Sequence, residues 1–358
     1  MTVPQPPDGL LARTLAAITP VGDTFTPLAA ARQNSLTKPP GSLGMLERLG
    51  SQVCRIQRTV TPSVARKTVL VFAADHGVAR EGVSAYPPEV TPQMVLNFLS
   101  GGAAINVLAR HAGARVVVVD MGVDHDFPAD TKGLTIRKVR RGTDTITRGP
   151  AMSRAEAVTA VEAGIEVAAA AIADGAELLA TGDMGIGNTT PSAAITACLT
   201  GRAPDRVTGR GTGLDDAGLA AKVKAVERAF AANIPDPTDP LGVLAALGGF
   251  EIGAICGAML GAAALRVPVV VDGFISGAGA LLAAALNPDA AGYMIAGHRS
   301  VEPGHQVQLD HLGLAPVLTL DMRLGEGSGA VLAMHVVEAA VRVINEMATF
   351  AEAGVSGR

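Results

Sequence analysis

Apolar residues in this chain concentrate in six short runs rich in β-branched side chains: TVLVFAAD (68–75), ARVVVVD (114–120), ELLATGD (177–183), VPVVVD (267–272), AGYMIAGH (291–298) and APVLTLD (315–321). Between most of them lie alanine-rich stretches at helical spacing, at 92–110, 154–173, 219–231 and 251–264. Continuous apolar strands alternating with helices predict an α/β fold, a parallel sheet covered on both faces. SRAE (Ser153, Glu156) fits a capping box, and Thr91-Pro92 reads as a cap residue before a proline at the first helical position. In 251–264 the glycines Gly253, Gly257 and Gly261 fall four apart on one helix face, as close packing against a neighbouring helix or subunit requires. Residues 1–60 and 330–358 carry no strand signal and read as helical. They are expected to form a small helical domain, with 61–329 as the large α/β domain.

Each apolar run ends in a polar group, usually beside glycine: Asp75-His76-Gly77, Asp120-Met121-Gly122, Gly182-Asp183, Asp272-Gly273, Gly297-His298 and Asp321. The carboxyl ends of parallel strands line one edge, where ligands bind. One aspartate at a strand end is ordinary capping; six such ends predict a polar, glycine-lined crevice.

Composition narrows what the crevice serves. Hydrophobic residues make up 48% of the 358 and mean hydropathy is +0.34, yet the most apolar region, 252–286, is interrupted by Arg266, Pro268 and Asp272. A spanning helix needs roughly 20 apolar residues without such breaks, so this region is expected to be buried core. MTVPQPPDG has neither a basic start nor an apolar run, so no secretory leader is expected. Cys54, Cys198 and Cys256 lie far apart and read as buried free thiols of a reducing cytoplasm. Net charge is −4, aromatics total 3% and Trp is absent, which argues against nucleic acid as partner. The one basic cluster, RKVRR (137–141), reads as a solvated strand edge. Small molecules remain.

The glycine-rich motifs suggest which kind. GDMGIGNTT (182–190) follows a strand and opens a helix near Thr190-Pro191, where backbone amides attract phosphate; the alternative is a tight turn. GRGTGLDD (209–216) precedes a helix carrying Lys222, a point charge for phosphate or a solvated lysine. GHRSVEPGH (297–305) lacks the spacing of a metal site and suits the placing of polar groups around a substrate. The loop after Asp75 carries Tyr86, then Gln93 and Met94, a combination suited to a flat heteroaromatic ring or to simple loop packing. GEGSGA (325–330) fits a dinucleotide fingerprint after a strand, but no following strand or ribose-binding acid remains. A lone carboxylate there, Glu326, sits between two glycines.

Together LTKPPGSLGMLE (36–47), ADHGV (74–78), YPPEVTPQMV (86–95), GDMGIGNTT, GRGTG, GHRSVEPGH and RLGEGSGA run in this order across nearly the whole chain. The chain closely resembles the nicotinate-nucleotide:dimethylbenzimidazole phosphoribosyltransferase family of cobalamin assembly. The resemblance implies a Rossmann-like parallel sheet of six strands, a small helical domain from both termini, and a cytoplasmic homodimer with active sites near the subunit interface. It implies transfer of phosphoribose from nicotinate mononucleotide to 5,6-dimethylbenzimidazole with inversion at the anomeric carbon, and neither metal nor organic cofactor. By the same resemblance Glu326 is the general base. Tyr86, Gln93 and Leu324 frame the benzimidazole; Gly185, Gly187, Asn188, Thr189 and Lys222 surround the phosphoribosyl group. Many family members have glutamate at the position of Asp183, so a shorter carboxylate faces the sugar here, directly or through water. A dinucleotide-dependent oxidoreductase and a non-catalytic nucleotide-binding module are the rival classes.

Overall fold

The computed structural model describes residues 9–356; residues 1–8, which hold most of the segment expected not to be a leader, and 357–358 lie outside the described residues. Six strands form one sheet: β1 (Lys67–Ala74), β2 (Ala114–Gly122), β3 (Leu134–Ile136), β4 (Leu178–Met184), β5 (Val269–Val271) and β6 (Met294–Ala296), in the order β3-β2-β1-β4-β5-β6. Every pairing is parallel. The expected α/β, Rossmann-like sheet is therefore present.

β1 explains why its sequence is apolar without alternation. All eight of its residues are buried. Leu70, Phe72 and Ala74 join a core with the helices Arg154–Ala173, Phe250–Ala264 and Phe274–Leu286. Val69, Val71 and Ala73 face the opposite layer with the helices Met45–Gln57, Ala104–Ala112 and Ser328–Glu346. Chain order reverses between β1 and β4, the topological switch point at which open parallel sheets bind ligands.

The predicted helix 154–173 is present with its capping box: Ser153 Oγ accepts from the Glu156 amide at 3.2 Å, and Glu156 Oε2 accepts from the Ser153 amide at 2.8 Å. The glycines of Phe250–Ala264 pack on this helix. A Cβ on Gly257 would lie 1.9 Å from Val161 O, and one on Gly164 would lie 2.0 Å from Ala254 O. Helix-on-helix contact, rather than a subunit contact, accounts for that stripe.

Four expectations change. The 92–110 stretch is two helices, Val90–Leu99 and Ala104–Ala112, because Gly101 turns the chain at φ 77°. Thr91-Pro92 lies inside the first of these, and Thr91 Oγ1 accepts from the Ile186 amide instead of capping. The run 315–321 is not a strand. It meets β6 only briefly, through Val317 N–H to Ala296 O and Leu318 N–H to Gly297 O; Pro316 offers no N–H, and Asp321 turns away at φ 54°. The sixth strand is instead Leu134–Ile136, just before the basic cluster.

The helix Ser328–Glu346 is long and apolar enough to cross a membrane by length and composition, but more than half of its apolar window is buried in the protein. Its beginning covers the sheet, and its end packs on Met45–Gln57. Arg32 donates through Nε and Nη2 to Ile344 O at 3.0 and 2.7 Å, and Leu36 bridges Thr349 in antiparallel register. The three cysteines are free and buried.

Candidate active site

β4 ends at Asp183-Met184, and the chain then turns through Gly185–Asn188 into the helix Thr189–Thr200. The turn sits tightly on the sheet. A Cβ on Gly185 would come 2.3 Å from Ala74 O and 3.3 Å from His76 Nε2. His76 is held by a buried contact to Glu251, Nε2 to Oε1 at 2.7 Å. Burial alone would lower its pKa, but Glu251 outweighs burial and raises it. The loop is thus braced from below by an imidazole and a carboxylate, while its upper side faces a cavity of about 700 Å³.

Opposite lies the GRGTG segment. Lys222 is fully buried behind it, donating to Thr189 Oγ1 at 2.7 Å and to Gly209 O at 3.2 Å. Burial pulls its pKa down to about 8, with Glu302 acting in the other direction. Glu302 Oε1 accepts from the Gly211 amide at 2.9 Å, and Glu302 Oε2 has no hydrogen-bond partner among the described residues. Arg323 reaches the same loop, Nη1 to Gly211 O at 3.0 Å.

Glu326 closes the third side. It is 5% exposed and adopts φ 63° between Gly325 at 87° and Gly327 at 90°, three left-handed residues in a row. A non-glycine residue there carries backbone strain. Close contact explains the conformation: a Cβ on Gly182 would lie 2.3 Å from Glu326 O, and the Glu326 amide donates to Asp183 O at 3.3 Å. Glu326 Oε2 accepts from the Ile105 amide at 3.1 Å, at the start of the helix Ala104–Ala112. Among the described residues Oε1 has no hydrogen-bond partner, and Glu326 lines the cavity.

Burial raises the Glu326 pKa, the Ile105 amide opposes it, and nearby Asp272 adds to it. Asp183 is raised well above the ordinary carboxylate range by burial and Asp272, with Glu251 and Glu326 contributing and its hydrogen bond from Asn188 Nδ2 (3.0 Å) opposing. Such a pocket holds a protonatable carboxylate beside the glycine-rich start of a helix, suited to phosphate, and an open face suited to a ring. Within that turn the Ile186 and Asn188 amides already donate to Thr91 Oγ1 and Gly185 O. No group of three or more His, Cys, Asp or Glu residues is placed to hold a metal ion among the described residues.

A phosphoribosyltransferase family model matches residues 18–355. The chain is 58% identical over 349 residues to a protein of Roseiflexus sp. (strain RS-1) named nicotinate-nucleotide–dimethylbenzimidazole phosphoribosyltransferase, covering 98% of this chain and 99% of that one. A protein of the same name from Geobacter sulfurreducens is 57% identical, covering 97% and 98%. The chain belongs to this phosphoribosyltransferase family. Among solved structures, CobT from Thermus thermophilus superimposes with TM-score 0.90 at 52% identity, covering 94% of this chain and 100% of that one.

Within this phosphoribosyltransferase the residues singled out by sequence do not all stand alike. Asp183, Gly185, Gly187, Asn188, Thr189, Leu324 and Glu326 line one cavity, with Tyr86 at its mouth; Tyr86 and Leu324 are each 56% exposed. Lys222 stands behind the wall, a layer below Thr189. Gln93 is exposed and outside the lining, and its neighbours Val90 and Met94 line the cavity instead. Phe274, Ile275, Ser300, Glu302 and Arg323 also line it. Ser300 and Glu302 belong to GHRSVEPGH and were legible as a polar cluster; Phe274 and Ile275 follow Asp272-Gly273 and look like ordinary helix core in sequence. A wider groove of about 820 Å³ lies between the helices Thr26–Ser35 and Met45–Gln57 and the β6 edge, with no lining residue in common with this cavity.

Proposed function

We propose that this protein transfers the phosphoribosyl group of nicotinate mononucleotide to 5,6-dimethylbenzimidazole, giving α-ribazole 5′-phosphate and nicotinate, with Glu326 as general base. One ring nitrogen of the benzimidazole attacks the anomeric carbon as its bond to the nicotinate nitrogen breaks, and that nitrogen keeps the electron pair. The proton on the other benzimidazole nitrogen passes to Glu326. The observation that carries this reading is the Glu326 carboxylate itself: anchored through Oε2, without a hydrogen-bond partner at Oε1 among the described residues, and lining a cavity that Gly185–Asn188 also line.

Tyr86 and Leu324, with Met94, frame the ring; Gly185, Gly187, Asn188 and Thr189 hold the phosphoribosyl group, and Lys222 supplies positive charge from behind. Gln93 would reach the ring only by a change of its side-chain direction. Asp183, close to the Glu326 turn, faces the ribose directly or through water, and its raised pKa favours a neutral, hydrogen-bonding carboxyl there. Of the segments 1–60 and 330–358, the described residues 9–60 and 330–356 would form a small helical unit on the large domain of 61–329. The protein works in the cytoplasm as a homodimer, which would cover the exposed Tyr86 and Leu324; light scattering would test the assembly.

The test is nicotinate release from nicotinate mononucleotide, with and without 5,6-dimethylbenzimidazole, for wild type and Glu326→Gln. General-base assistance is worth about 10²–10⁴-fold, so base-dependent release should fall at least about a hundredfold in the variant. Equal rates would remove Glu326 from that role.

A further inference from the structure

Asp272 follows β5 and is fully buried, outside the cavity lining. It meets no substrate-facing surface, yet both its oxygens are engaged. Oδ1 accepts from the amides of Gly329 and Ala330, each at 2.8 Å, and Oδ2 accepts from the amide of Gly327 at 3.2 Å. These are the amides at the start of the helix Ser328–Glu346, directly after Glu326. A carboxylate there satisfies donors that a helix start leaves free and complements the helix dipole.

Glu326 cannot hold its place by local preference. Three consecutive left-handed residues are a poor resting state for a chain. What fixes them is the Gly327–Ala330 backbone, tied to β5 through Asp272, and the Gly182–Asp183 backbone of β4, against which Glu326 rests. His298 completes the support. Its ring lies 2.0 Å from where a Gly329 Cβ would stand, with Nε2 3.7 Å from Asp272 Oδ1.

We propose that Asp272 is a positioning residue for the transfer reaction: its three backbone contacts hold the Gly325–Gly327 turn so that Glu326 points into the cavity. The proposal rests on Glu326 being the general base. Asp272 acts on that base in a second way, because its charge lies close enough to raise the Glu326 pKa. The ionisable groups around the turn are Asp272 itself, Asp183 with Glu251 beyond it, His298, and Arg323 three residues before Glu326.

The experiment uses the full-length enzyme and measures base-dependent nicotinate release across pH for wild type, Asp272→Asn, Glu326→Gln and the double variant. Asparagine keeps the size but turns an N–H toward one of the three amides. A displacement of the base by about an ångström costs on the order of a hundredfold, so kcat should fall at least about tenfold while KM for nicotinate mononucleotide stays nearly unchanged. The acid limb of kcat/KM should move to lower pH, since removing a neighbouring negative charge lowers the Glu326 pKa. In the Glu326→Gln background the same change should cost little more, because residues acting as a unit are non-additive. A role confined to stability would lower the unfolding midpoint and leave the limb in place.

Should Asp272→Asn fail to fold, Asp272→Glu keeps the charge and displaces the contacts: kcat should fall with the acid limb unmoved. Wild-type kcat and limb in Asp272→Asn, wild-type kcat in Asp272→Glu, or a full additional loss in the double variant would overturn the proposal while leaving Glu326 as base. If wild type turns over and Glu326→Gln keeps its rate, the general-base reading falls and takes this proposal with it.

Discussion

At the residue scale, what separates this site from a generic strand-end crevice is ionisable groups kept away from water. Lys222 shows the consequence for stability. Its pKa is about 8 in the folded chain and near the ordinary lysine value when unfolded. Between about 8 and the ordinary value of about 10.4 the unfolded chain therefore binds more protons at this position, and stability rises with pH across that window. Lys222→Met should raise the urea midpoint at pH 7, where the buried charge is at its most costly, and the gain should shrink as pH approaches 10. Equal pH slopes in wild type and variant would show that Lys222 is not desolvated as described. The same substitution should raise KM for nicotinate mononucleotide if the charge acts on the phosphate.

At the element scale, legibility followed length and burial. Arg154–Ala173 was readable to its ends because a capping box starts it and a long alanine-rich pattern continues it. The strand Leu134–Ile136 was not, since three half-buried residues in a polar stretch leave no periodicity to count. The run 315–321 had the composition of a strand, but composition carries no information on whether a neighbour offers paired donors and acceptors along its length. The role of Glu326 followed from resemblance alone, because its backbone angle depends on Gly182 and Asp183 of a distant strand and its side-chain contact on Ile105, still further back in the chain. The glycine stripe was readable as contact but not by partner. That contact makes a prediction at this scale. Gly164→Ala places a methyl 2.0 Å from Ala254 O, and overpacking of this kind costs roughly 1–3 kcal/mol. The helix-propensity gain of about 1 kcal/mol offsets only part of it, so the urea midpoint should fall. A rise would mean that the two helices separate without loss.

At the scale of the whole molecule, the parallel sheet collects chemistry from Asp75 to Glu326 at one edge, and the helix Ser328–Glu346 carries that edge's last element to the far side of the protein. Its 19 residues span roughly 28 Å at 1.5 Å per residue. One end follows Glu326 and is pinned to the sheet by Asp272; the other is clamped by Arg32 on Ile344 O. The two anchors are mechanically independent if the helix end at Asp272 is fixed by the sheet and not by packing on the terminal helices. Arg32→Ala tests this. It removes a charged two-pronged donor from a helix C-terminus, and hydrogen bonds from charged groups are worth about 1.5–3 kcal/mol. The thermal midpoint should therefore fall. With the β5 anchor intact, kcat and the pH dependence of nicotinate release should remain those of wild type. A variant that loses kcat in proportion to its stability, measured well below its unfolding temperature, would show instead that the terminal helices set the position of Glu326 along the helix. The contact of Met45–Gln57 with the helix end would then belong to the catalytic apparatus as much as the sheet does.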